Sequence, residues 1–166
     1  MKSTRILSSV VFAAALLSAS AANAELYKFT VSGDYSATWQ LDSDEAPAAV
    51  FLGQSFRYDG VNGLFSGSHE GTADLYFRNG SKRGGLFIVD YPRNVALMLS
   101  YGPQLYSGSE DNFEFKAGTF ELTDTWFGTE RYTLTISAVP EPATYGMMLA
   151  GLGLVGIALR RRQANV

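Results

Sequence analysis

The strongest constraint on the fold is a two-residue alternation of apolar and polar side chains in the middle of the chain. In residues 131–138 every second residue is apolar, and residues 35–41 repeat this pattern around Trp39. Successive side chains of a β-strand point to opposite faces, so this period indicates strands with one buried face. We expect Trp39, Leu134 and Ile136 to lie in the core.

Alternating patterns and short apolar runs predict further strands, with Gly, Asn, Asp and Pro between them. These strands are predicted at residues 26–32, 49–58, 72–78, 86–89, 95–99, 113–116 and 120–123. Asp59-Gly60 and Asn62-Gly63 are predicted turns, and residues 42–49 and 106–112 are candidate linkers. Several short strands at this spacing predict an all-β fold, a single antiparallel β-sandwich over residues 25–139, either plain or of jelly-roll type.

The N-terminal end has the three parts of a secretory signal peptide. Lys2 and Arg5 precede an apolar run, and Ala22 and Ala24 occupy the small-residue positions that signal peptidase reads. Residues 1–24 are therefore predicted to be removed during export.

The C-terminal end has an uncharged stretch, residues 144–159, followed directly by Arg160, Arg161 and Arg162. As a helix, the stretch would be about 24 Å long, which is short for a bilayer core of about 30 Å. Arginine can extend its head group to the membrane interface, so a single transmembrane helix is predicted. The three arginines then orient it with their end in the cytoplasm.

The prolines of Val-Pro-Glu-Pro-Ala-Thr predict an extended hinge before that stretch. This hexapeptide, the short Gly/Leu-rich span and the terminal arginines together resemble the PEP-CTERM sorting signal of exported proteins from exopolysaccharide-producing Gram-negative bacteria. The resemblance covers residues 140–166 and implies processing by an exosortase, a membrane-embedded transpeptidase-like enzyme, with Pro140, Glu141 and Pro142 as the processing motif. It implies export through the inner membrane, a transient anchor there, and then the cell surface or extracellular matrix. Some ice-binding proteins share such a tail, which carries no evidence of ice binding here.

Charge and cysteine content limit what the exported region can do. Setting aside both ends leaves eight basic and fifteen acidic residues in residues 25–139, a net charge of −7. Nucleic-acid binding is not expected, because it requires a basic face. The chain has no cysteine, so a packed core must stabilise the domain without disulfides.

Few residues suggest chemistry. His69 is the only histidine and lies in a predicted loop, so a Ser–His–Asp triad could use no other. The acidic clusters at residues 42–45 and 110–112 could hold Ca²⁺ but match no calcium-loop pattern, so solvated charged loops are the favoured explanation. No cofactor and no catalytic residue is predicted.

The aromatic residues leave the alternatives open. Trp126, Tyr101 and Tyr106 lie in turns or near strand ends, where rings can stack on sugars or cap a core. The favoured function is a non-enzymatic exported protein associated with the cell surface or exopolysaccharide. The alternative is a carbohydrate-binding module, and an exported hydrolase or an ice-binding protein is less favoured.

Overall fold

The computed structural model describes residues 25–126, 128–139, 146, 149 and 151–153. Within these described residues, eleven β-strands and one 3₁₀ turn, Gly80–Lys82, follow one another in order. The strands are β1 Leu26–Gly33, β2 Ala37–Asp42, β3 Ala49–Phe51, β4 Ser55–Phe65, β5 Thr72–Arg78, β6 Leu86–Asp90, β7 Val95–Tyr101, β8 Tyr106–Ser109, β9 Asn112–Phe115, β10 Gly118–Asp124 and β11 Arg131–Val139.

Eight of these strands form one closed antiparallel barrel. Their order is β2-β1-β11-β10-β7-β6-β5-β4, and pairing of β4 with β2 closes the circle. Strand β3 pairs with β4 outside the circle, while β8 and β9 form a separate hairpin. The all-β prediction is confirmed, but the prediction of a β-sandwich is wrong, because one sheet closes on itself instead of two sheets packing face to face.

Two glycines explain the closure, Gly60 and Gly63, and the prediction that they lie in turns is wrong. Both instead lie inside β4, the 11-residue strand that follows the short strand β3. Gly60, at φ +59°, lies where the register of β4 on β5 shifts between Tyr58 and Val61, so a bulge bends the strand here. Gly63 faces Trp39 across the β2–β4 seam, where an added Cβ would lie 2.8 Å from the Thr38 carbonyl oxygen. The close approach that closes the barrel therefore requires glycine.

Aromatic rings fill the interior. Trp39, Leu134 and Ile136 are buried as predicted, and Phe29 stacks on Trp39 with ring centroids 5.1 Å apart. An eight-stranded barrel is just wide enough for side chains to fill it, which this interior illustrates.

The β8–β9 hairpin completes the core at one end, although its first half was predicted to be a linker. Phe113 stacks on Phe56 with centroids 3.9 Å apart, and Phe115 lies 5.0 Å from Phe77. Tyr106 is fully buried beside them. The hairpin is thus a plug that folds over the barrel end.

The predicted transmembrane helix over residues 144–159 is not supported. Within the part of the chain that the structure describes, no helix has the length and apolar character needed to span a bilayer. Five residues of that stretch are described, and all are helical: Gly146, Leu149, Gly151, Leu152 and Gly153. The other residues of that prediction lie outside the described ones.

Candidate functional site

The barrel has two different ends. At the hairpin end, β8 and β9 cover the interior, and β11 finishes at Val139, where the chain continues toward its C-terminal tail. At the opposite end, β10 finishes at Asp124 and β11 begins at Arg131. The connection between them carries Trp126, so the exposed indole lies far from the point where the tail leaves the barrel, at the other end of a nine-residue strand.

A groove of about 410 Å³ runs beside Trp126. Strand β7 pairs with β10 at only two positions, Tyr101 with Thr123 and Ser100 with Asp124, so the first half of β7 extends past this pairing. That half, Val95 to Leu99, forms one wall of the groove. Trp126 forms part of the other wall and is 72% exposed, an unusually open position for so large an apolar side chain.

Polar groups lie beside the indole in the same wall. Asp124, Thr129 and Glu130 line the groove, and the Glu130 carboxylate accepts a hydrogen bond from the Tyr132 hydroxyl. Burial, and then this hydrogen bond, raises the pKa of Tyr132. A flat apolar ring beside carboxylate and hydroxyl oxygens can pack on the C–H face of a sugar while accepting hydrogen bonds from its hydroxyl groups.

The structure does not bring the three predicted glycan-binding aromatics together. Tyr106 is 0% exposed, so its prediction as a surface contact is wrong. Tyr101 lies on β7 beyond the groove and contacts Phe87, with ring centroids 6.4 Å apart. Of the three, Trp126 alone lines the groove, and the first half of β7 is the part of the site that sequence reasoning missed.

Glu110, predicted to lie in an acidic loop, is instead buried and bonded inside the hairpin end. Its carboxylate accepts hydrogen bonds from the Asn79 side chain at 2.6 Å, the Tyr106 hydroxyl at 2.8 Å and the Gly53 amide at 2.8 Å. Burial alone would raise the pKa of Glu110, but these hydrogen bonds outweigh burial and lower the pKa to about 2. The carboxylate therefore joins three loops of this end to one another. Among the described residues, no three His, Cys, Asp or Glu side chains converge as metal ligands would.

His69 lies near a buried aspartate, but through its backbone. Asp90 accepts hydrogen bonds from the His69 amide at 3.2 Å and the Ser68 hydroxyl at 3.1 Å. A triad would instead require the aspartate to bond to the imidazole ring, so this contact fixes the loop and does not orient a base.

A row of four threonines crosses the outer face of the barrel and was invisible in the sequence. Thr38, Thr30, Thr135 and Thr119 are neighbours across β2, β1, β11 and β10. The row has Thr133 and Ser32 beside it on two strands, but Lys28, Gln40 and Glu121 occupy other adjacent outward positions and interrupt it. It does not extend into the wide, regular threonine array that the ice-binding alternative requires.

The other predicted site residues lie outside the described ones: Ala22, Ala24, Pro140, Glu141, Pro142, Arg160, Arg161 and Arg162. Their region is characterised by comparison. A family model for the PEP-CTERM protein-sorting motif matches residues 138–162. The chain therefore carries a PEP-CTERM sorting motif, as the resemblance predicted, and is an exported substrate of an exosortase-type membrane enzyme that is processed at the membrane and then located at the surface.

The matched motif covers the tail and does not include the barrel. Searches of curated proteins and of solved structures return no significant match.

Proposed function

We propose that this protein is a non-enzymatic component of the cell surface or exopolysaccharide matrix that holds polysaccharide in the Trp126 groove. The exposed indole at the end remote from the tail carries this proposal. The tail that is processed at the membrane follows Val139, so the opposite end of the barrel, with Trp126, would face outward. An open groove also accommodates a long polymer better than an enclosed cavity does.

The buried carboxylates support a binding role over hydrolysis. Glycoside hydrolysis needs a carboxylic acid whose pKa is raised, so that it can protonate the leaving group. Glu110 has the opposite shift, to a pKa of about 2, and its oxygens are occupied by three internal donors. Asp90 is likewise buried and bonded to the loop that contains Ser68 and His69.

Intrinsic fluorescence offers a sharp test, because the chain has only two tryptophans and the other, Trp39, is 2% exposed. We expect a neutral β-glucan to shift the emission of the full chain to shorter wavelength in a saturable titration. Trp126→Ala should remove both the signal and the co-sedimentation with the glucan. Leu64→Ala is the matched control, because Leu64 is an apolar side chain that is 79% exposed and lies elsewhere on the barrel.

Two results would contradict the proposal. One is a wild-type protein that binds no polysaccharide. The other is steady release of reducing ends from the glucan, which would establish the hydrolase alternative.

The position of processing is a separate part of the proposal. We place it at Pro140, Glu141 and Pro142, and signal-peptide removal after Ala24. Glu141→Ala should leave export intact and block exosortase processing, so full-length protein accumulates in the membrane fraction. Mass spectrometry of the surface fraction checks this, and a surface form that still contains residues 151–162 would contradict it.

A further inference from the structure

A second feature of the outer surface is independent of the Trp126 groove. Three arginines and three aromatic rings alternate across β4, β5, β6, β7 and the loop between β5 and β6. We call this set the Arg–aromatic row, and its members are Arg57, Tyr76, Arg78, Phe87, Tyr101 and Arg83.

Arg78 is the centre of the row. Its guanidinium carbon lies 4.6 Å from the centroid of the Phe87 ring and 5.3 Å from that of Tyr101. The guanidinium of Arg83 lies 5.2 Å from the same Tyr101 ring, and that of Arg57 lies 5.5 Å from Tyr76. Contacts of this type hold the face of a guanidinium and leave the N–H groups at its edge available to a planar anion.

The charges in the row are unevenly neutralised. Arg57 forms an ion pair with Asp59, whereas Arg78 and Arg83 have no carboxylate partner among the described residues. With the adjacent Lys82, the row gathers four of the eight basic residues of a region whose net charge is −7. Such a concentration of positive charge on an acidic protein attracts anions to one face.

The loop that carries Arg83 is held in an unusual shape. Arg83 has φ +71°, a left-handed conformation that a residue with a side chain seldom adopts. Arg83 directly follows the 3₁₀ turn, and the Arg83 carbonyl accepts a hydrogen bond from the Gly102 amide at 3.1 Å. The Asn79–Glu110 hydrogen bond at 2.6 Å fastens the start of the same loop. The backbone is therefore held in an unfavourable conformation at Arg83, the residue whose guanidinium lies over the Tyr101 ring.

A small cleft of about 150 Å³ adjoins the row. Tyr76, Arg78 and Phe87 line it together with hydrogen-bonding groups of Gln54, Ser55 and Lys82. Rings, guanidinium donors and neutral polar groups thus converge on one open depression.

We propose that the Arg–aromatic row binds the carboxylate-bearing sugars of an acidic polysaccharide. The guanidiniums of Arg78 and Arg83 would each take a carboxylate through paired N–H donors, while the exposed parts of the rings pack on the sugar faces. The row lies toward the hairpin end, and the Trp126 groove lies at the opposite end. The inference rests on the proposed association with polysaccharide, but not on the Trp126 groove.

The test compares polygalacturonate with its methyl ester, which has the same backbone and neutral carboxyl groups. We expect the full chain to bind polygalacturonate in calorimetric titration, with an affinity that falls as salt is raised and is at least about tenfold lower for the ester. Arg78→Gln and Arg83→Gln should each weaken binding of polygalacturonate about tenfold or more. Arg83 is exposed, so its variant should melt within a few degrees of the wild type.

Arg93→Gln is the matched control, because it removes the same charge from an exposed site on the β6–β7 turn. Equal weakening by Arg93→Gln, or unchanged binding in both row variants, would overturn the proposal. Equal affinity for single-stranded DNA at the same salt would also overturn it, by showing a surface that selects charge alone. Trp126→Ala should retain polygalacturonate binding, so failure of the groove and failure of the row are separately visible.

Discussion

The two faces of the sheet formed by β4, β5 and β6 use the same kind of side chain in opposite ways. On the inner face, Phe56 stacks on Phe77 with centroids 5.2 Å apart, and both rings are fully buried. At the adjacent residue pair of the same two strands, Arg57 and Tyr76 lie on the outer face, where the aromatic ring contacts the guanidinium. Among the described residues, rings that pack on rings fill the interior, and both proposed binding sites lie on the outer surface of the barrel.

The largest effect on stability is expected from substitutions at two neighbouring residues of β11, one on the inner face and one on the outer face. Ile136→Asp places an unpaired charge among buried rings, and the cost of several kcal/mol is large against a domain stability of about 5–15 kcal/mol. We expect loss of the folded state by circular dichroism. Thr135→Asp, on the outer face next to it, should fold and melt within a few degrees of the wild type. Similar melting of both variants would contradict the inside–outside assignment.

A smaller loss of stability is expected from a substitution at the β2–β4 seam, where the barrel closes. In Gly63→Ala the new Cβ would meet the Thr38 carbonyl, Trp39 and Phe65 at less than 3 Å, so the β2–β4 seam must shift. Overpacking of this kind costs about 1–3 kcal/mol. Denaturant unfolding measures the loss, and an unchanged midpoint would show that β2 and β4 do not form the seam.

These two positions also show what sequence could and could not predict. Alternation is local, so the burial of Trp39 and Ile136 followed from it directly. Closure depends on three residue pairs between β2 and β4, which lie more than twenty residues apart in the chain. The dipeptides Asp59-Gly60 and Asn62-Gly63 are typical of turns but also occur in a bulged strand such as β4. Read as turns, they divide β4 and favour the prediction of a sandwich.

The same distinction applies to the sites. The sorting motif is contiguous and was predicted from its order of residues. Exposure of Trp126 agrees with its position in a turn, but Tyr106 was misassigned because its burial depends on Glu110 and Phe56, which adjacent residues do not indicate. The Arg–aromatic row comes from four strands and one loop, so no local pattern announces it.

The buried carboxylate at the hairpin end should make stability depend on acid. All three groups that contact the Glu110 carboxylate donate hydrogen bonds to it. In Glu110→Gln one acceptor oxygen is replaced by an NH₂ group, which cannot accept a hydrogen bond from these donors. We expect a loss of about 1–3 kcal/mol. Asp111→Asn, at the exposed neighbouring position, is the control and should melt close to the wild type.

The pH dependence follows from the direction of the shift. The pKa of Glu110 falls from 4.5 to about 2 on folding, so its contribution is complete above pH 4.5 and is lost as the pH falls toward 2. The wild type should lose stability over this interval more steeply than Glu110→Gln in parallel thermal melts. Parallel curves would contradict the assigned network.

The smallest effect on stability is expected on the outer face. Tyr101→Leu keeps an apolar side chain of the strand but removes the ring beneath Arg78 and Arg83. Exposed cation–π contacts are worth about 0.5–1 kcal/mol, so melting should change by only a few degrees. Affinity for polygalacturonate should nevertheless fall severalfold. A large stability loss with unchanged affinity would instead make the row a structural device.

The most direct test of an outside-binding barrel is a residue-resolved titration. Isotope-labelled protein from the surface fraction would be titrated with galacturonate oligosaccharides and followed by amide and side-chain NMR shifts. We predict saturable shifts at Arg78, Arg83 and Tyr101, with interior residues such as Phe77 unchanged. Shifts centred on Phe77 and its buried neighbours, or no shifts in the Arg–aromatic row, would contradict it.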